Sequence, residues 1–258
     1  MTNTLSHTLR RFNRFELKYL VSLPQAEAFK AALRRYLHSD EHSAGRYDLG
    51  SLYYDSPDLR CYWEKVDGLR FRRKLRIRHY ALGAPLRAQT PVFVEIKQRL
   101  DRVTQKRRIQ LPFETALRLC NQRELPATMA DEDRPFLEEV YAYLWEYNLR
   151  PVSIVRYQRQ AFIGAAYDLG LRVTFDTQLK YQVHPLRLED AAGLPLISPD
   201  RCVMEIKVNE RLPYWLAEMI ASHNLKTVRV SKYCRSIDLA QASLPAFTQL
   251  SLIAPERV

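Results

Sequence analysis

Glycine is scarce in this sequence, with seven residues in 258, and its scarcity removes a large class of phosphate sites. Neither GxxxxGK followed by Ser or Thr nor GxGxxG is present, so the chain has no glycine-rich loop of the P-loop or Rossmann kind. The six histidines form no HExxH motif and lie near no nucleophile motif, and we expect them to be structural or surface residues. Any phosphate chemistry must therefore rest on side chains.

Cysteines and long apolar runs are also sparse. The four cysteines lie far apart and form no CxxC pair, which argues against a zinc site or a dense disulfide framework and favours reduced thiols. No apolar run approaches the length that crosses a bilayer, and the N-terminus has no apolar signal core. We therefore expect a cytoplasmic protein that would reach the inner face of a membrane through a partner.

Acidic residues are outnumbered by basic ones. The chain has 29 Asp and Glu against 40 Lys and Arg, which gives a formal net charge of +11. Such an excess indicates a polyanionic partner, which could be a nucleic acid, a phosphate-rich small molecule or an acidic membrane surface. The hydrophobic fraction of 47% is enough for a substantial core.

Alternating apolar and polar residues predict eight β-strands. These are Arg14 to Val21, Tyr47 to Tyr54, Arg70 to Tyr80, Pro91 to Gln98, Lys106 to Leu111, Val152 to Phe162, Arg172 to Thr177 and Cys202 to Val208. Amphipathic patterns predict helices at Ser22 to Leu37, which opens with a capping-box pattern, and at Pro112 to Asn121, Arg134 to Asn148 and Leu212 to His223. The order favours an α+β fold with an antiparallel sheet or barrel and peripheral helices, in one domain over residues 1–258 with a core of about 12–240.

The stretch LRFRRKLRIRHY carries four cations at alternate positions: Arg72, Lys74, Arg76 and Arg78. In a strand they would share one face about 6.7 Å apart, where each neighbouring pair repels by roughly 0.6 kcal/mol in water and about 2.5 kcal/mol at an effective dielectric of 20. Such a row is either a solvated face or a site for an anion. Arg70 and Arg73 are expected to be ordinary surface charges.

Charged residues, with Tyr157 among them, alternate along most of the other predicted strands too. The residues concerned are Arg14, Glu16, Lys18, Glu95, Lys97, Lys106, Arg108, Tyr157, Arg159, Arg172, Asp176, Glu205 and Lys207. One such pair alone would be an ordinary cross-strand ion pair. Because the polar faces would converge if the sheet closed, the whole set favours a site where cations bind phosphate oxygens and carboxylates hold a divalent metal.

At these residues the sequence resembles the VTC (vacuolar transporter chaperone) domain, a branch of the triphosphate tunnel metalloenzyme (CYTH-like) superfamily. The matching stretches are RFELKYLV, SLYYDSPDLRCYWEKVDG, KLRIRHY, VFVEIKQRLDRVTQKRR, VRYQRQAF, RVTFDTQL, VMEIKV and VRVSKYCRS. The resemblance implies an antiparallel eight-stranded β-barrel, the triphosphate tunnel, that binds ATP with Mn²⁺ or Mg²⁺. It also implies synthesis of inorganic polyphosphate by transfer of the ATP γ-phosphoryl group, with release of ADP.

The resemblance also implies roles for individual residues. Its phosphate ligands are similar to Lys18, Arg76, Arg78, Lys97, Arg159, Arg229 and Lys232, with Tyr157 beside them. Within that set Arg76, Arg78, Lys97 and Arg159 are expected to hold the β and γ phosphates, and Glu205 to carry the metal. Further cations are expected at Lys65, Arg72, Lys74, Lys106 and Lys207. Glu16, Glu95 and Asp176 either hold the metal and its waters or form salt bridges with the cations.

Two departures from the superfamily pattern qualify this reading. Arg14 stands where ExExK has its first carboxylate, which disfavours a two-metal hydrolytic site, and Arg229 stands where a Lys is expected. Three other functions stay open: a triphosphatase in the same tunnel, a non-catalytic sensor of polyphosphate or inositol phosphates, and a nucleic-acid binder. The last is disfavoured because the cations follow strands and no helix-turn-helix or zinc-finger signature is present. A membrane-protein partner and the oligomeric state are left open.

Overall fold

The structure, a computed structural model, describes residues 14–40, 46–81, 85–101, 103–164, 170–209 and 211–243. The side chain of Arg14 lies outside the described part. The strands are β1 (Arg14–Ser22), β2 (Leu37–Ser39), β3 (Arg46–Asp55), β4 (Phe71–Ala81), β5 (Pro91–Leu100), β6 (Val103–Pro112), β7 (Arg150–Gly164), β8 (Arg172–Gln182), β9 (Leu194–Pro195) and β10 (Arg201–Asn209). The helices are α1 (Leu23–Leu33), α2 (Arg60–Val66), α3 (Phe113–Leu117), which a π-helical turn at Arg118–Gln122 continues, α4 (Arg134–Glu146), α5 (Tyr214–Ser222) and α6 (Lys232–Ser243).

The predicted fold class, a mainly antiparallel sheet with peripheral helices, is confirmed. Hydrogen bonding orders the long strands β1-β10-β8-β7-β3-β4-β5-β6, and these are the eight predicted strands. The short strands β2 and β9 pair with β7 and β8, so the strand count within the described residues is ten rather than eight. No helix among those residues is long and apolar enough to span a membrane.

The chain divides into two compact units. The first comprises Met1–Arg46, Gln158–Thr177 and Ser198–Val230, and the second comprises Tyr47–Tyr157, Gln178–Ile197 and Ser231–Val258. The prediction of a single domain concerns independent folding, which this division does not measure, and it stays a prediction.

The first unit packs α1 against one face of β8 and β10. Phe29 and Leu33 of α1 are buried with Phe175 of β8 and Met204 and Ile206 of β10. Ser22 caps the helix as predicted: its hydroxyl accepts from the Gln25 amide, and the Gln25 side chain accepts from the Ser22 amide. Because successive residues of a strand point to opposite faces, the alternate residues of β10, Glu205 and Lys207, lie on the other side of the sheet.

The second unit packs α4 against β4 and β5 in the same way. Val140 and Leu144 of α4 share one core with Leu75 and Ile77 of β4 and with other buried residues of the unit. This burial fixes the register of the sheet, because a slip of one residue would turn the apolar side chains to solvent. The alternate residues of β4, including Arg76, are therefore held on the opposite face.

Several predicted helix boundaries differ from the structure. Leu37 lies in β2, where it pairs with Gly164 of β7, and α1 therefore ends at Leu33. The helix predicted to end at Asn121 changes to a π-helical turn at Arg118. Helices α2 and α6 were not predicted from periodicity.

Candidate functional site

The register of β4, β5 and β6 brings cations of neighbouring strands directly opposite each other. Arg72 pairs with Arg99, and Lys97 lies between Lys74 on one side and Lys106 on the other. Directly opposed like charges destabilise a sheet. This face of the second unit therefore carries a repulsion that a bound polyanion would relieve.

One buried carboxylate sits among the cations of this face. We define the Glu95 cluster as Tyr53, Arg76, Arg78, Glu95, Lys106 and Arg108, all in the second unit. Arg76 donates from Nε and Nη2 to Glu95 Oε2 at 2.8 and 2.6 Å. Arg78 lies 4.0 Å from the same oxygen, while Lys106 and Arg108 lie 3.5 and 4.0 Å from Oε1. A single carboxylate thus faces four cations, and its Oε1 accepts no hydrogen bond.

The charges of the Glu95 cluster shift the pKa values of its members. Burial alone would raise the pKa of Glu95, but Arg76, Arg78 and Lys106 outweigh that effect and lower it to about 2. Lys106 is 42% exposed, and its partial desolvation and the neighbouring arginines lower its pKa to about 8, although Glu95 opposes this shift. The Tyr53 hydroxyl accepts a hydrogen bond from Arg76 at 3.1 Å. Burial would raise the pKa of Tyr53, but the charges of Arg76 and Arg78 outweigh burial and lower this pKa to about 8. The cluster is electropositive enough to favour anions.

The two central arginines differ in their supports. Arg76 is held by Glu95 and Tyr53, whereas Arg78 donates to Ser51 Oγ at 3.2 Å and to the Tyr157 hydroxyl at 3.1 Å. Arg78 is 6% exposed and lies farther from the carboxylate than Arg76 does. Its guanidinium is oriented mainly by neutral hydroxyls, which leaves its charge less compensated.

Helix α6 brings further groups of the second unit to the cations. Lys232 Nζ lies 4.9 Å from the centre of the Tyr157 ring, and Lys74 Nζ lies 4.6 Å from that of Tyr233 and 3.3 Å from Ser231 Oγ. The Tyr233 hydroxyl donates to the buried carboxylate of Asp55. Asp55 thereby fixes the start of α6, which carries Lys232.

Lys65, on α2, lies near the cations Arg72, Lys74 and Arg99, of which Arg72 stands at the start of β4. Partial burial and the charges of Arg72, Lys74 and Arg99 lower the pKa of Lys65. Burial and Arg99 lower that of Arg72. The second unit thus contains ten of the predicted site residues: Lys65, Arg72, Lys74, Arg76, Arg78, Glu95, Lys97, Lys106, Tyr157 and Lys232.

The first unit holds a second charged group, in which cations and carboxylates balance. We define the Glu205 cluster as Glu16, Lys18, Arg159, Asp176, Glu205 and Lys207. Its three cations, Lys18, Arg159 and Lys207, each lie 3.7 Å from a Glu205 oxygen. Lys18 also lies 3.1 Å from Glu16, and Arg159 binds both oxygens of Asp176 at 2.6 and 2.7 Å.

The oxygen donors of the Glu205 cluster fit a metal that a substrate helps to hold. Among the described residues no group of three or more His, Cys, Asp or Glu side chains could hold an ion alone. Mg²⁺, however, is usually bound by one or two carboxylates together with substrate phosphates. Glu205 and Glu16 could supply these carboxylates. Thr174, directly opposite Glu205 in the sheet, has a buried Oγ1 without a hydrogen-bond partner, which offers a third oxygen.

The remaining predicted residues have varied surroundings. Arg229 is exposed on a segment that runs along β1, where Val230 accepts from Lys18 Nζ at 2.9 Å and Val228 donates to Lys18 O at 2.8 Å. Arg172 instead pairs with Asp40 at 2.9 Å.

The two arginines expected to be ordinary surface charges differ. Arg70 is almost fully exposed. The prediction is wrong for Arg73, whose guanidinium lies 4.2 Å from the Tyr143 ring, because its strand position points it toward α4.

Sequence reasoning missed three residues of these clusters. Ser51 orients Arg78, Asp55 anchors Tyr233, and Thr174 faces Glu205. Only Thr174 carried a signal, because it stands between Arg172 and Asp176 in the alternating pattern of β8. The contacts of Ser51 and Asp55 depend on residues far away in the sequence.

In comparisons with known proteins, the chain matches one family model and several solved structures at low sequence identity. A family model described as VTC domain matches residues 13–241, which is most of the chain. No curated protein matches the chain.

Three solved structures resemble it at low identity. A Bacillus halodurans protein described as a candidate adenylate cyclase shares 12% identity at a TM-score of 0.48, covering 84% of this chain and 92% of its own. The PH1819 protein of Pyrococcus horikoshii OT3 shares 12% at 0.45, covering 88% and 99%. The triphosphatase of the Mimivirus capping enzyme shares 8% at 0.37, covering 86% and 94%. All three TM-scores lie below 0.5, so these likenesses add nothing to the family match.

Proposed function

The chain belongs to the VTC domain family, and from this premise we propose that it is a metal-dependent polyphosphate polymerase. In this proposal it transfers the γ-phosphoryl group of ATP to a growing inorganic polyphosphate chain and releases ADP. Family membership supports the coarser assignment, an enzyme of phosphotransfer or hydrolysis at a triphosphate. The polymerase activity, the nucleotide and the polymer are the finer part that we propose.

The observation that carries the proposal is the charge imbalance of the Glu95 cluster. Four cations approach one buried carboxylate within 4.0 Å, and the register sets Lys97 directly opposite both Lys74 and Lys106. The side chains of Arg76 and Arg78 are largely buried and require a counter-charge, of which the single carboxylate supplies only part. A chain of phosphates would supply the rest, since its oxygens accept charge-assisted hydrogen bonds along its whole length.

We assign phosphate binding to the cations in graded roles. Arg76, Arg78, Lys97 and Arg159 hold the β and γ phosphates, where charge develops as the phosphoryl group moves. The other cations bind substrate or product phosphates, and Tyr157 orients Arg78. These substrate ligands are Lys18, Lys65, Arg72, Lys74, Lys106, Lys207, Arg229 and Lys232.

We assign the divalent metal, Mn²⁺ or Mg²⁺, to Glu205, with Glu16 and Thr174 Oγ1 as further oxygen donors. Bound there, the metal would neutralise phosphate charge and orient the oxygens. Asp176 is occupied on both oxygens by Arg159, and Glu95 is bound by Arg76, so in the proposal these two carboxylates position arginines.

The transfer needs no protein nucleophile. A terminal oxygen of phosphate or polyphosphate forms a bond to the γ phosphorus while the bond from that phosphorus to the β–γ bridging oxygen breaks, and ADP leaves with the electron pair. The attacking oxygen is already ionised, so no general base is required. With water as the acceptor the same arrangement would make a triphosphatase, and with no turnover it would make a sensor.

One assay ranks these activities. Pure protein is incubated with ATP and Mn²⁺, and ADP, free phosphate and acid-stable polymer are followed. ADP with long polymer is the expected result. ADP with an equal amount of free phosphate would replace the proposal with a triphosphatase, and tight binding without turnover would replace it with a sensor.

The metal assignment has its own test with a matched control. Glu205→Gln should abolish turnover and weaken Mn²⁺ binding while the protein stays folded. Glu218→Gln, an exposed change on α5 of the same unit, should leave both unchanged. An unaffected rate in Glu205→Gln would overturn the assignment.

A further inference from the structure

Large apolar side chains are exposed together at one end of the second unit. We define the apolar tip as Trp63, Val66, Leu69, Phe71, Leu100 and Val103. Each of these side chains is between 42% and 54% exposed. None of them belongs to the buried core that α4 forms with β4 and β5. Single exposed apolar residues are ordinary, but a contiguous patch usually marks an interaction surface.

The register of the strands places three residues of the apolar tip side by side. Phe71 is directly opposite Leu100, and Leu100 is directly opposite Val103. The Leu69 amide donates to Glu64 O of α2 at 3.0 Å, which ties the turn to the helix that carries Trp63 and Val66. The tip is therefore built from the end of α2, the following turn and the adjoining ends of three strands.

Cations surround the apolar tip. Leu69 and Val103 line an open cleft of about 630 Å³ together with Arg70, Arg72 and Arg99. Lys65 adds a fourth cation, because its pKa is affected by the charges of Arg72 and Arg99. Among the described residues the acids nearby are Asp67, Asp101, which lies 3.8 Å from Arg70, and the buried Glu64, whose charge acts on Arg72. Four cations against three carboxylates leave the surround positive.

We propose that the apolar tip docks directly on an anionic lipid bilayer. The apolar side chains would enter the boundary between headgroups and acyl chains, and the arginines would remain at the level of the lipid phosphates. Charge complementarity selects this occupant: a second copy of the chain would bring two positive surrounds together, which is unfavourable. The six apolar side chains have no role in the proposed phosphate site, whereas Lys65 and Arg72 of the surround are also proposed substrate ligands, so the variants below leave those two residues unchanged.

Vesicle binding tests the proposal on the full chain. Protein is sedimented with phosphatidylcholine vesicles that either lack phosphatidylserine or contain it at about a third of the lipid, at roughly 0.1 M and 0.5 M salt. We expect binding to the anionic vesicles that is at least tenfold stronger than to neutral ones at the lower salt, and that weakens at the higher salt. Equal binding to both vesicles, or none to either, would overturn the proposal.

Variants separate the apolar and charged contributions. Leu69→Ser with Leu100→Ser should reduce the partition constant at least tenfold, and Arg70→Gln should reduce it several-fold on anionic vesicles alone. The matched control is Leu125→Ser with Leu194→Ser, two exposed leucines elsewhere in the unit, which should bind as wild type.

The other occupants of the apolar tip give different results. If the tip variant binds vesicles as wild type but alters the mass of the protein in solution, the tip is an interface between copies. If it changes neither but prevents capture of an acidic protein, the tip is a protein-docking surface. Either result would replace the lipid assignment. ATP turnover should be unchanged in the tip variant.

Discussion

At the scale of single residues, Glu95 is both a structural group and a measure of how positive its surroundings are. Its pKa of about 2 lies below the ordinary 4.5, and this shift corresponds to about 3 kcal/mol of stability at neutral pH. Because the folded pKa is depressed, the contribution is fully present above pH 4.5 and disappears as the pH falls through about 2. One buried carboxylate thus stabilises a cluster of four cations.

Replacing the Glu95 carboxylate should leave the repulsion among its four neighbouring cations uncompensated. Glu95→Gln should lower the free energy of unfolding by about 3 kcal/mol at pH 7, and the difference from wild type should shrink as the pH falls toward 2. Tripolyphosphate should raise the melting temperature of the variant more than that of wild type, because it replaces the lost negative charge. Denaturant unfolding over a range of pH and melting curves with and without tripolyphosphate measure these effects.

A surface carboxylate provides the control for Glu95. Glu124→Gln removes the exposed ion pair with Arg118 and should cost less than about 1 kcal/mol without an added response to tripolyphosphate. A loss in Glu95→Gln no larger than in this control would contradict the assigned charge balance.

Lys106 should make anion binding depend on pH just above neutrality. Its pKa of about 8 means that it loses its charge between pH 7 and 9, and Tyr53, with a similar pKa, gains a negative charge over the same range. Affinity for ATP should therefore fall across this interval in wild type. Lys106→Arg keeps its charge and should flatten the profile, as titration calorimetry at pH 7, 8 and 9 would show.

The comparison of Lys106→Arg with wild type cancels any ionisation of the ligand, which is the same in both titrations. Tyr53→Phe should remove the rest of the pH dependence. Identical profiles in wild type and Lys106→Arg would show that Lys106 does not titrate in this interval.

At the scale of elements, the sequence identifies strands well and their contacts poorly. The alternation in LRFRRKLRIRHY places Arg76 and Leu75 on opposite faces, and this is confirmed. The pairing of Arg76 with Glu95 depends on the register between strands, which no single strand encodes. Helix α2 escaped periodicity because it has seven residues and its start is held by Asp55, which lies outside the helix.

Asp55 should thus control two elements together. Its carboxylate accepts from the amides of Ser56, Cys61 and Tyr62 and from the Tyr233 hydroxyl. Asp55→Asn has one acceptor oxygen in place of two and should lower the free energy of unfolding by about 3 kcal/mol. Hydrogen exchange should increase at the start of α2 and at α6.

The measured pattern of exchange distinguishes this role from a general loss of stability. Tyr233→Phe should increase exchange in α6 while α2 stays protected, because the amide contacts of Asp55 survive. If Asp55→Asn exchanged faster equally throughout the second unit, the assignment of Asp55 to these two elements would be wrong.

At the scale of the whole molecule, the net charge of +11 allows two kinds of polyanion to bind, and salt should separate them. Exposed cations attract duplex DNA without sequence preference, and this attraction falls steeply with salt because counterions are released. The Glu95 cluster is partly buried, so salt screens its charges less.

Between roughly 0.05 and 0.2 M salt, DNA affinity should fall at least a hundredfold, whereas tripolyphosphate affinity should fall much less. Fluorescence anisotropy with labelled duplexes and titration calorimetry measure the two. DNA binding that kept a sequence preference at the higher salt and resisted displacement by tripolyphosphate would identify a nucleic-acid site and contradict the assignment of these cations to phosphate chains.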